Sequence, residues 1–206
     1  MDNNLRTSTI NRKTEETSIS IKLNLDGTGK YNIETDIGFL KHMLEQISKH
    51  SLIDLDIRAN GDTETGTHHT VEDTAIALGR AISDALGDRK GIYRMGDKIC
   101  PLDESLSQVI IDFSGRGYAV VDMGGSNNIG EFPLDLARHF FESVAIEGKF
   151  CIHVRVLNGS NEHHIIESSF KAFARALRQA VTIDNRSPNS IPSTKGTLKD
   201  KIFSMV

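Results

Sequence analysis

The chain has 206 residues, enough for one large domain or two small ones packed together, and its 38% hydrophobic and 25% charged content is that of a soluble globular protein. Its 28 acidic and 24 basic residues give a formal charge of −4, which excludes the broad basic surface of a nucleic-acid binder but leaves room for a local anion pocket. Two cysteines, Cys100 and Cys151, exclude a disulfide framework and fit a cytoplasmic setting; no apolar run is long enough to span a membrane, and the polar stretch Met1 to Thr17 leads us to expect no secretory signal.

From the N-terminus, Ser18–Leu25 alternates apolar and polar residues and runs into Gly27 and Gly29, the pattern of a half-buried strand ending in a turn. A helix follows around His42, in Phe-Leu-Lys-His-Met-Leu, and then a strand through Ile53, Leu55, Ile57 and Arg58. An Ala-rich helix over Thr70–Leu86 is opened by His68-His69-Thr-Val-Glu72 and broken by Gly-Asp-Arg-Lys-Gly. The order then recurs. Gln108–Phe113 alternates and ends at Gly115 and Gly117, His139 lies on a helix, Phe150 to Arg155 forms a strand, and His163-His164-Ile-Ile-Glu167 opens a helix over Ile166–Val181. The polar tail from Asp184 to Val206, with two prolines, reads as a loop or arm.

The recurrence is an internal repeat. A shift of 88 places Leu23, Leu25, Gly27 and Gly29 on Ile111, Phe113, Gly115 and Gly117; a shift of 97 places His42 on His139 and Ile53 on Phe150; a shift of 95 places His68, His69 and Glu72 on His163, His164 and Glu167. The offsets change only in loops. Each half reads as strand, strand, single-His helix, strand, and a helix opened by His-His-x-x-Glu. This predicts an α+β fold of two duplicated half-domains, 1–92 and 93–206. Each is expected to be an antiparallel sheet with two helices, and the pair to pack as a pseudo-twofold sandwich.

Residues three and four apart share a helix face, so Glu72 is expected beside His69 and His68, and Glu167 beside His164 and His163. Two imidazoles and a carboxylate within one turn suit zinc, manganese or iron better than calcium. Adjacent rings point roughly 100° apart on a helix, so each pair can serve two ions. A lone helical histidine is usually a packing residue. Recurrence in both halves marks His42 and His139 as ligand candidates, whereas His50 and His153 have no repeat partner and are read as ordinary. Arg94, Arg116 in Ser-Gly-Arg-Gly, Lys171 one turn beyond Glu167, and Ser193 and Lys195 in Pro-Ser-Thr-Lys-Gly are anion-binding candidates, pointing to a phosphorylated small molecule. A dinuclear phosphoesterase is the competing enzyme reading. A metal-storage protein would have no use for the anion groups.

Arg12-Lys-Thr-Glu-Glu16-Thr, Ile37-Gly-Phe-Leu-Lys-His-Met-Leu, His68-His-Thr-Val-Glu-Asp, Pro101-Leu-Asp-Glu, Ser114-Gly-Arg-Gly, Asn161-Glu-His-His-Ile-Ile-Glu and Ile191-Pro-Ser-Thr-Lys-Gly resemble the imidazoleglycerol-phosphate dehydratases of histidine biosynthesis, in order and spacing over nearly the whole chain. The resemblance implies dehydration of imidazole glycerol phosphate to imidazole acetol phosphate, with the substrate ring held as imidazolate by two manganese ions per active site. It also implies a homo-oligomer of twenty-four subunits with sites at subunit contacts. The implied metal ligands are His42, His68, His69, Glu72, His139, His163, His164 and Glu167. Glu16 looks like the substrate-hydroxyl carboxylate, with Glu72 or Glu167 as the base. Gln46, Arg94, Arg116, Lys171, Ser193 and Lys195 look like the phosphate-end contacts. Asp36, Lys41 and Thr67 depart from the family's usual residues, which keeps a catalytically weakened paralogue as an alternative.

Overall fold

A computed structural model describes residues 6–124 and 132–198, so the last eight residues of the expected arm lie outside the described residues. The first sheet contains β1 (Thr7–Lys13), β2 (Thr17–Asn24), β3 (Tyr31–Thr35) and β4 (Asp54–Gly61) in the order β1-β2-β4-β3. The second contains β5 (Met95–Leu102), β6 (Ser105–Asp112), β7 (Tyr118–Asp122) and β8 (Cys151–Asn158) in the equivalent order β5-β6-β8-β7. Helices α1 (Gly38–Ser51) and α2 (His68–Leu86) belong to the first half, and α3 (Leu134–Gly148) and α4 (Glu162–Val181) to the second. Three strands of each sheet pair antiparallel, but β3 and β7 run parallel to β4 and β8. The parallel pairs follow from the connections: a whole helix, α1 or α3, carries the chain back before the next strand begins.

Each half therefore has three strands before its single-His helix, one more than the alternation of the sequence reveals. The extra strands, β1 and β5, are edges. Only Ile10 breaks the polar run of β1, and β5 contains Pro101, which an edge position tolerates.

The inward residues of β2 and β4, among them Ile21, Leu23, Leu55 and Ile57, are buried in one core with Leu40, Met43 and Leu44 of α1 and Val71, Leu78 and Ile82 of α2. The second half replaces much of this aliphatic packing with aromatic rings. Phe170 of α4 lies 5.0 Å from Phe140 and 4.8 Å from Phe141 of α3, an arrangement favourable to edge and tilted ring contacts. The helices meet between the sheets, α2 against α3 and α1 against α4. Gly79 permits the first contact: a Cβ there would stand 2.6 Å from the Val144 carbonyl oxygen.

The outward faces differ sharply for a duplicated protein. One register row across the first sheet reads Thr9, Lys22, Asp56 and Asn32. A row across the second reads Asp97, Ile110, His153 and Val120, with Met95, Ile99 and Tyr118 also exposed.

Candidate metal and substrate site

The helix contacts bring histidines of one half to the glutamate of the other. His42 of α1 meets α4, where its Nε2 lies 3.2 Å from Glu167 Oε2 and the His163 Nε2 lies 3.1 Å from the same oxygen. In the pseudo-equivalent cluster, His139 of α3 meets α2: its Nε2 lies 3.0 Å from Glu72 Oε1, and His68 Nε2 lies 3.9 Å from Glu72 Oε2. Within each triad the donor atoms all fall within 4.8 Å of one another.

Two imidazole nitrogens and a carboxylate oxygen at that spacing fit a divalent transition ion. A detail of the second triad strengthens the fit. His139 Nε2 is buried and close to Glu72, yet it makes no hydrogen bond of acceptable geometry. Such a buried nitrogen is the expected state of a lone pair directed at a cation rather than a proton donor. In the first triad, burial acts to raise the Glu167 carboxyl, but hydrogen bonds from Lys171 and His42 outweigh it and hold the group below its ordinary value.

The second histidine of each pair does not join its neighbour. The rings of His68 and His69 stand at 87°, and those of His163 and His164 at 90°. The near-perpendicular rings match the roughly 100° expected between adjacent helical residues, and the second ring of each pair meets carboxylates from outside its helix. His69 Nδ1 lies 3.2 Å from both oxygens of Asp62 and 3.8 Å from Glu16 Oε2. His164 Nδ1 lies 2.7 Å from Glu104 Oε2. Asp62 raises the pKa of His69, and Glu104 that of His164. His164, with the backbone N–H groups of Asn161 and Ser160, in turn holds the Glu104 carboxyl far below the usual range.

Glu16 stands on the tight turn between β1 and β2. Thr14 Oγ1 accepts from the backbone N–H groups of Glu16 and Thr17, at 3.2 and 2.9 Å, and Asp62 N donates to the Glu16 carbonyl at 3.0 Å. Buried Asp73 of α2 accepts hydrogen bonds from Thr17 Oγ1 and, at 2.6 Å, from Arg12 Nη2. The turn is thus tied to the helix that carries His68, His69 and Glu72, while the Glu16 carboxylate projects outward.

The anion-binding candidates divide into groups. Lys171 Nζ sits 2.7 Å from Glu167 Oε1, and Gln46 Oε1 sits 2.8 Å from the Nε2 of His50, whose pKa is lowered by burial and by Lys171 and Arg175. Arg94 is elsewhere. Its guanidinium grips both Asp112 oxygens, at 2.7 and 3.1 Å, and the Pro192 carbonyl at 2.9 Å, next to Ser193 and Lys195. Its backbone N bonds to Ala180 at the far end of α4, roughly 20 Å along the helix from Glu167 at 1.5 Å per residue. Arg116 is on the exposed turn after β6. One chain does not gather these six side chains into a single pocket.

Asp62, Asp73 and Glu104 were not singled out from the sequence as site residues. For Glu104 the signal was present, since it is the partner of Glu16 at the shift of 88. Asp62 falls, at the strand offset of 97, opposite Gly159 and had no such signal.

Paired histidine and glutamate triads on a duplicated α+β sandwich give the chain two donor sets that could each hold a divalent ion. The family model for imidazoleglycerol-phosphate dehydratase matches residues 35–177. The imidazoleglycerol-phosphate dehydratase of Dehalococcoides mccartyi is 52% identical over 196 residues, covering 95% of this chain and 98% of that protein. That of Dinoroseobacter shibae is 49% identical over 94% of this chain and its own full length. Among solved structures, the Staphylococcus aureus dehydratase superposes with a TM-score of 0.78 at 35% identity, covering 86% of this chain and 99% of its own. The Pyrococcus furiosus dehydratase, in complex with (S)-C348, gives 0.79 at 32%, covering 91% and 99%. The chain belongs to the imidazoleglycerol-phosphate dehydratase family, and is a hydro-lyase of histidine biosynthesis. Two of the departures from the family's usual residues, Asp36 and Lys41, have exposed side chains, and Thr67 immediately precedes α2. No helix among the described residues is long and apolar enough to cross a membrane.

Proposed function

We propose that this enzyme dehydrates imidazole glycerol phosphate in the cytoplasm, using two manganese ions per active site held by His42, His163 and Glu167, by His68, His139 and Glu72, and by His69 and His164. The observation that carries the reading is the pair of cross-half triads. When bound, the ions supply the Lewis acidity that lets the substrate's imidazole ring act as an electron sink.

The rest falls to side chains. Elimination requires one C–H proton to be removed and one hydroxyl to leave as water, giving an enol that relaxes to the ketone. Glu72 or Glu167 takes the carbon-bound proton, and Glu16 holds and protonates the departing hydroxyl. Lys171 and Gln46, with Arg94, Arg116, Ser193 and Lys195, grip the phosphate.

His69 and His164 lie against carboxylates outside the triads of their own chain, and the Arg94 backbone meets α4 about 20 Å along the helix from Glu167. Both facts support completion of each site by neighbouring subunits, in a homo-oligomer that we take to contain twenty-four chains. The exposed apolar face of the second sheet also supports association. The test is to strip the protein of metal, reload it with manganese, add imidazole glycerol phosphate and assay for imidazole acetol phosphate. We expect product only with metal, and none from the Glu72→Gln, Glu167→Gln double variant. Full turnover by that variant would remove the carboxylate base from the scheme.

A further inference from the structure

The internal repeat pairs Glu16 with Glu104, yet the two carboxylates stand in different environments. Glu104 is fully engaged. Its Oε2 lies 2.7 Å from His164 Nδ1, and its Oε1 accepts from Asn161 N at 2.9 Å and from Ser160 N and Ser105 Oγ at 3.1 Å. Glu16 Oε2 approaches its histidine only to 3.8 Å, and the short contacts to His69 Nδ1 come instead from Asp62.

The exchange has a steric basis. At the strand offset of 97, Asp62 falls opposite Gly159, and a Cβ there would lie 2.6 Å from Ile165 and 2.7 Å from Ser105 Oγ. A side chain at that point would have to displace Ile165 and Ser105, and His164 is held instead from the β5–β6 turn, by Glu104 at 2.7 Å with Asp103 at 3.8 Å. In the first half the β4–α2 loop supplies Asp62, which makes the short contacts to His69 and leaves Glu16 a longer, more exposed ion pair with the same ring.

We infer that Glu104 is a positioning residue for the metal ligand His164, as Asp62 is for His69, and that the two halves thereby offer substrate one carboxylate not held by a short histidine contact, Glu16, rather than two. A carboxylate accepting the Nδ1 proton fixes the imidazole tautomer that leaves Nε2 as the donor to a metal. This rests on the metal reading above, but its test does not depend on turnover.

The experiment compares manganese binding to metal-stripped wild type, Glu104→Gln, Asp62→Asn and Glu16→Gln, by titration with stoichiometry, alongside kcat and KM. Glutamine is isosteric, but its single acceptor oxygen can serve either the Asn161 and Ser160 N–H groups or His164, not both. We expect Glu104→Gln and Asp62→Asn each to weaken manganese binding by about 10- to 100-fold, with activity recovering toward wild type at saturating metal. Glu16→Gln should bind manganese as wild type does, yet lose turnover at any metal concentration. Glu104→Asp, which keeps a charged acceptor, should restore part of the affinity. Wild-type manganese affinity in Glu104→Gln overturns the inference, most directly if kcat falls, since Glu104 would then act on substrate as Glu16 does. Absence of manganese binding by the wild type would instead overturn the metal reading itself. If Glu104→Gln fails to fold, Asp62→Asn against Glu16→Gln decides: equal affinity in those two overturns the division of labour.

Discussion

Replacing Gly79 with alanine tests how closely the donor clusters depend on helix spacing. The added Cβ would lie 2.6 Å from the Val144 carbonyl oxygen and 2.8 Å from Gly148 N, both backbone atoms that no rotamer change can move aside. To reach a tolerable 3.0–3.4 Å, α2 and α3 must part by about 0.4–0.8 Å. Two effects compete. Alanine is favoured over glycine inside a helix by about 1 kcal/mol, whereas overpacking typically costs about 1–3 kcal/mol. With a mid-range cost the clash wins by about 1 kcal/mol, which for a chain of this size lowers Tm by about 2–4 °C. The same displacement separates His139 from Glu72, now 3.0 Å apart, beyond the ~0.2 Å tolerance of metal–ligand distances. Manganese affinity should therefore drop at the α2–α3 triad and persist at the α1–α4 triad. Calorimetric melting of metal-stripped protein and a stoichiometric manganese titration read the two effects. An unchanged or higher Tm together with two intact sites would refute the argument.

Phe170→Ala removes a fully buried ring in contact with Phe132, Phe140 and Phe141 and should cost about 3–5 kcal/mol in denaturant unfolding; a loss under 1 kcal/mol would mean that the cluster repacks around the cavity. Lys195→Met and Arg116→Met should raise KM by roughly tenfold or more with kcat nearly unchanged, the signature of a lost charged hydrogen bond to phosphate; unchanged KM in both removes that assignment. The Glu104–His164 pair predicts a pH window in metal-free protein. Glu104 titrates below its ordinary 4.5 when folded, so its contribution is present above pH 4.5 and lost as pH falls. His164 titrates above its ordinary 6.5, so its contribution is present below pH 6.5 and lost as pH rises through the folded value. The Tm difference between wild type and Glu104→Gln should therefore be largest between about pH 4.5 and 6.5, and a difference constant from pH 3 to 9 would contradict it.

Much of this was legible because repetition turns weak signals into strong ones. His42 alone is an ordinary helical histidine, but His139 at the matching position gives both a purpose, and both lie in the triads. The central strands were visible from their alternation, whereas β1 and β5 were not, since an edge strand with few inward apolar residues carries little pattern. The partition of the donors was hidden for a different reason. Helical spacing turns the adjacent rings roughly 100° apart, but does not reveal that Asp62 and Glu104 meet His69 and His164, because those carboxylates arrive from distant turns. Nor does spacing within one half reveal that α1 docks on α4 and α2 on α3, a property of how two complete layers meet.

That docking pattern means that neither half of the chain owns a histidine–histidine–glutamate triad. His42 and Glu167 are 125 positions apart, so no triad of α1 and α4 exists on a nascent chain until α4 has been made and seated. Ion uptake at either triad would thus report the joining of the halves rather than the folding of either.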